Sequence, residues 1–192
     1  MKKVIPLLIL FLHPLVSNAG GSSTPKTDAD FARLPVYCLA RHKKKGDPVQ
    51  RKMWKKKLGS GFLHLHHYCY ALHYMNKSHN VSNKKANRDA LGAALKEIGY
   101  VERRTSEQFY LRPEMAYKKG TIYERLGNHS AAMKEYLRGI ALNPRVPALY
   151  SALSDLYKKA GDNKEAMNVL KQGLRYKPNS KSLNKRLIRL KN

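Results

Sequence analysis

Moved along by 34 residues, the C-terminal half of this chain lands on itself. Tyr123 falls on Tyr157, Gly127 on Gly161, Ala132 on Ala166, Gly139 on Gly173 and Pro144 on Pro178, while Leu126 meets Ala160 and Tyr136 meets Leu170. Each unit reads as a helix, a glycine-centred turn, a second helix and a proline stop. A period of this length means one supersecondary unit repeated, each copy burying its apolar face on the next. Gly120, Ala132 and Gly139 let two antiparallel helices approach closely, and Tyr123 and Tyr136 fill the space between them. Pro144 and Pro178 end each second helix because proline has no N–H to give it. No stretch alternates apolar and polar residues at strand period, so the expected fold class is all-α.

The pattern resembles the tetratricopeptide repeat family over residues 113–146 and 147–180. That resemblance implies a short right-handed solenoid of helix pairs. The first unit departs from the family at Lys119, where an apolar residue is preferred, and the second at Ser154, where glycine is usual. Two units bury too little to stand alone, and about three are expected. Residues 181–192 read as a capping helix, with Leu183, Leu187 and Leu190 on one face and Lys185, Arg186 and Arg189 off it. Within residues 62–112, helices over 62–76 and 83–98 are expected to form a degenerate pair on the other side. The whole then holds about six to eight helices. In this family the first helix of each repeat lines a groove that takes a peptide or protein partner. The corresponding positions here are Tyr117, Thr121 and Glu124, then Ser151, Asp155 and Lys158. Tyr117 and Thr121 replace the lysine and asparagine of the chaperone-binding branch, so the resemblance does not extend to its carboxylate clamp.

The other end of the chain reads differently. Met1-Lys2-Lys3, an apolar run over 4–16 interrupted by Pro6 and Pro14, and small residues at Ser17 and Ala19 match a cleavable secretory signal over residues 1–19. The run is too short to span a bilayer comfortably. Export in bacterial style is therefore expected, to the periplasm or cell envelope. Residues 20–30 read as a flexible tether, and 31–61 as a basic helical segment with Gly46-Asp47-Pro48 as a turn.

Charge is concentrated there. The chain carries a formal +25, and residues 41–57 hold nine cations against Asp47: Arg41, Lys43, Lys44, Lys45, Arg51, Lys52, Lys55, Lys56 and Lys57. Such a field favours an anionic polymer or membrane surface as a contact. Met53, Trp54 and Leu58 are expected to pack inward beneath the lysines. The spacings of helix-turn-helix, RNA-recognition and zinc-finger modules are absent, which argues against reading of bases.

Residues 64–74, HLHHYCYALHY, pose the remaining question. On a helix, Leu65, Tyr68, Cys69, Leu72 and Met75 form an apolar arc, while His66, Cys69 and His73 fall within about 60° of one another. Two imidazoles and a thiolate suit zinc or copper if a fourth ligand exists. The competing reading pairs Cys69 with Cys38, since an isolated cysteine pair in an oxidising compartment reads first as a disulfide. The thiolate cannot do both. No paired carboxylates, phosphate-cradling glycines or haem-attachment run appear, so neither an enzyme nor a cofactor is expected. The sequence thus points to an exported interaction scaffold with a basic surface, the alternative being a metal- or haem-handling protein built on His66, Cys69 and His73.

Overall fold

The computed structural model describes residues 24–42 and 46–191. The expected signal over 1–19, the start of the tether and Lys43 to Lys45 lie outside them. Among the described residues ten α-helices and one 3-10 turn follow one another, with no strand. The fold is an all-α helical solenoid, longer in helix count than the sequence suggested.

The tether gives way to order early. Thr27 caps helix α1 (Asp28–Ala32) in a reciprocal box: its side chain accepts from the Asp30 N–H, and the Asp30 carboxylate accepts from the Thr27 N–H. Phe31 is thereby set into the core. Helix α2 (Val36–Arg41) follows, then α3 (Pro48–Leu58), which Asp47 caps through the Val49 N–H. Helix α3 buries Leu58 and half-buries Trp54 against the Tyr37 ring, but Met53 points outward, 45% exposed, contrary to expectation.

The helix expected from Phe62 begins later. Residues Gly59–Leu63 form the 3-10 turn, and α4 runs Leu65–Ser78. Gly61 has no side chain because the Phe109 ring lies where one would project. Helix α5 spans Lys84–Arg104, a turn and a half beyond the expected end. Contacts of Ser78 with Asn87, His67 with Glu97 and His64 with Tyr100 show α4 and α5 running antiparallel. Leu65, Tyr68, Cys69, Leu72 and Met75 are all buried, as the helical wheel required.

The repeats follow as α6 (Arg112–Arg125) with α7 (His129–Leu142), and α8 (Pro147–Lys159) with α9 (Asn163–Tyr176). Both turns use one device: glycine at φ 78° or 82° (Gly127, Gly161), then Asn128 or Asp162 capping the second helix. Helix α10 (Lys181–Lys191) packs on α9 and α8 through fully buried Leu183, with Leu187 and Leu190 partly buried beside it. Arg186, assigned to solvent from the sequence, instead reaches Asp155 on α8.

Two hydrophobic cores result. One gathers α1 to α5 and the Met115 and Ile122 side of α6; the other gathers α7 to α10 with Tyr117 and Tyr123 from the far side of α6. Lys119 explains its own departure from the family at the seam. Its ammonium donates to Glu102 of α5 at 3.1 Å and pairs with Glu135 of α7 at 2.6 Å; Arg138 contacts both acids at 2.5 and 2.8 Å. Burial alone would raise the Glu102 carboxyl, but Lys119 and Arg138 overcome it and hold the group below its ordinary value. Burial likewise works against the Lys119 ammonium, and the two glutamates more than offset it. A charge stands where an apolar residue would, because two acids wait for it.

Candidate functional site

All six groove positions named from the sequence share one concavity. Tyr117, Thr121 and Glu124 of α6 and Ser151, Asp155 and Lys158 of α8 line an open cleft of about 630 Å³. Spacing of four and then three residues on each first helix puts these side chains on one face. Sequence reading missed Lys159 of α8 and Arg186 of α10, which add cations to the wall, and did not place Tyr136 of α7, fully buried, beneath it. Of these, Arg186 had a signal: α10 follows Pro178 as a first helix would, so its outward face continues the groove.

The floor and sides differ in chemistry. Beneath the cleft the half-buried Tyr117 packs on the fully buried Tyr136, with ring centroids 6.0 Å apart and planes tilted by 37°. Tyr136 donates its hydroxyl to Glu124 Oε2 at 2.5 Å; burial first, then that carboxylate, raises the phenol above its ordinary value. Gly120 makes room for the same ring, which lies where a Cβ would stand. Thr121 turns its hydroxyl back to the Tyr117 carbonyl at 3.0 Å. Lys159 donates to Glu124 Oε1 at 2.9 Å, and Arg186 grips Asp155 through Nε and Nη2 at 3.0 to 3.3 Å. Each groove acid therefore already holds a cation. Lys158 extends from the rim, where Arg189 joins it around a second small cleft.

The family model for the tetratricopeptide repeat matches residues 113–146 and 147–180. The chain carries two tetratricopeptide repeats. Their bounds coincide with the α6–α7 and α8–α9 pairs and with the period read from the sequence. Among solved structures, a thermophilic tetratricopeptide-repeat protein from Thermus thermophilus aligns over 81% of this chain and 79% of its own, with a TM-score of 0.59 and 20% identity. That likeness is one of fold. No curated protein matches the sequence. Tetratricopeptide repeats are protein-interaction modules, and the cleft lies on the face their first helices present.

The histidine-rich helix belongs to the other core. Cys38 and Cys69 place their sulfurs 2.10 Å apart, at bonding distance, with Cα atoms 5.6 Å apart. His66 shares a cleft with both cysteines and sets Nδ1 3.5 Å from an Arg41 nitrogen. His73 lies elsewhere, buried, with Nδ1 3.8 Å from Asp30, in a small cleft with Arg33 and Asn76. His66 and His73 line different clefts, and Cys69 faces Cys38. Among the described residues no three His, Cys, Asp or Glu side chains are grouped to hold a metal. The remaining two histidines pack: His67 bonds Glu97 at 2.6 Å and stacks on Tyr100, whose ring edge also meets His64.

The basic segment divides in two. Arg41 and Arg51 turn inward, contrary to a role facing a polyanion. Arg41 donates to the Phe62 and Leu63 carbonyls, Arg51 donates to the Arg41 carbonyl, and both guanidinium groups lie over the Phe62 ring. Burial first, then the Arg51 charge, lowers the Arg41 guanidinium from its ordinary value. Lys52, Lys55, Lys56 and Lys57 are exposed. Lys57 also holds its ammonium over the Trp54 and Tyr110 rings, at 5.0 and 4.3 Å.

Proposed function

We propose that this protein is an exported scaffold of the cell envelope that holds a protein partner in the groove between α6, α8 and α10. The observation that carries the reading is the gathering of the six first-helix residues around one open cleft, extended by Arg186. Its alternating pairs, Glu124 with Lys159 and Asp155 with Arg186, offer exchangeable partners to a polar peptide, and the half-buried Tyr117 ring offers it an apolar contact. Binding, rather than catalysis, fits these groups: both carboxylates are held by cations and neither is left to serve as acid or base. Export is supported by the signal-like features of residues 1–19 and by the Cys38–Cys69 pairing.

The test is site-specific cross-linking in the native host. A photoreactive residue at Thr121 should yield a discrete adduct that one at exposed Lys134, on the second helix of the same repeat, does not give. Asp155→Ala should reduce that adduct by about tenfold, the loss of one anchoring side chain. Equal adducts from both positions would mean the cleft is not the binding face.

A further inference from the structure

We propose that helix α3 docks the protein onto an anionic lipid bilayer, inserting Val49 and Met53 between lysines that meet the headgroup phosphates. The helix reads PVQRKMWKKKL, with five cations and no acid. Leu58 is buried, Trp54 is half-buried on Tyr37 and Arg51 is tied to the Arg41 carbonyl, so the rotation of the helix is fixed. The opposite side carries Val49 and Met53, one turn apart, 73% and 45% exposed. At 100° per residue Lys52 and Lys56 flank that strip on one side and Lys57 on the other. Tyr110, 54% exposed, lies beneath the Lys57 ammonium and extends the edge with an aromatic ring.

A bare apolar strip between rows of lysine is the arrangement of a helix lying in a bilayer interface. The lysine stems run along the apolar boundary while their ammonium groups reach the phosphates, and a tyrosine suits the same depth. Charge complementarity selects an anionic surface. A soluble polyanion would use the lysines alone and leave Val49 and Met53 in water, so the exposed pair decides for lipid. This surface is separate from the groove and does not depend on the groove's role.

The test is co-sedimentation of the chain from Gly20 on, as cleavage of the expected signal would leave it, with vesicles of phosphatidylcholine alone or mixed with phosphatidylglycerol, alongside binding to heparin. Without the apolar run over 4–16, lipid binding and its differences between variants report on α3. The parent should sediment with the mixed vesicles and far more weakly with phosphatidylcholine. Lys52→Gln with Lys56→Gln should weaken vesicle binding by about fivefold per lysine. Val49→Ser with Met53→Ser should weaken vesicle binding about tenfold and leave heparin binding unchanged. Thermal melts of these exposed substitutions should match the parent's. Equal binding to both vesicle types would overturn the proposal. So would a Val49, Met53 variant that sediments like the parent, which would assign the lysines to a soluble polyanion instead.

Discussion

His66 is held neutral by its surroundings. Burial comes first, then the charges of His67 and Arg41, and together they push the imidazole from 6.5 down to about 4. His64 is lowered too, by burial and then by Arg104. The sign of the consequence follows from proton counting. Between those two values the unfolded chain takes up a proton that the folded chain refuses, so the fold is fully stabilised above pH 6.5 and loses that contribution as pH falls toward 4. Asp30, which backbone N–H groups of Thr27 and Lys26 lower to about 2, adds its own loss only below the ordinary carboxylate range. Urea midpoints should therefore drop on acidification from about pH 7 to about pH 4.5, and His66→Gln should remove much of that slope. Equal slopes in parent and variant would assign the acid sensitivity to other groups.

At the level of single helices, α10 shows how an element depends on one side chain. Eleven residues are too few to hold a helix in water unaided. Leu183, fully buried, fits against Gly173, where an added Cβ would meet both it and Tyr150. Leu183→Ala should cost about 3 kcal/mol and release α10 before the repeats unfold. Amide exchange over residues 184–189 should then accelerate well ahead of α8, and the Arg186 grip on Asp155 should go with it. Unchanged protection in α10 would show that Leu187 and Leu190 hold it alone. The element scale is also where the sequence was most legible. The 34-residue period located the repeat pairs, because period is a local property, and the family resemblance it supported supplied the six groove residues. Helix α1 was hidden in a polar stretch whose order comes from a two-residue cap. Arg186 looked like a solvated cation, since its partner lies on another helix, 31 positions away. Met53 looked buried because its type favours burial, while the anchors that fix the rotation of α3, Tyr37 and the Arg41 carbonyl, are tertiary.

For the whole molecule the question is whether two cores behave as one. Helix α6 contributes to both, and two polar assemblies tie it to its neighbours. Tyr37 of α2 and Tyr68 of α4 both donate to Glu114 Oε1, at 2.7 and 3.0 Å, while Glu102, Lys119, Glu135 and Arg138 bridge α5, α6 and α7. Trp54, the single tryptophan, packs against the N-terminal core and reports on it alone, whereas far-UV circular dichroism reports on every helix. In the parent protein the two denaturation curves should coincide, since losing either core removes one side of α6. Lys119→Met breaks the bridge and leaves Glu135 sharing Arg138 with Glu102, which also keeps Arg112 at 3.7 Å, at a cost of about 2–3 kcal/mol once their partial exposure is allowed for. The C-terminal core, smaller and without the cysteine pair, should then unfold first, drawing the dichroism midpoint below the fluorescence midpoint. Adding Glu135→Gln removes the acid that loses its nearer cation and leaves Arg138 to Glu102, so the curves should draw together again. If both probes shift equally in Lys119→Met, the cores are joined by the apolar faces of α6, and the charge cluster only tunes their shared stability.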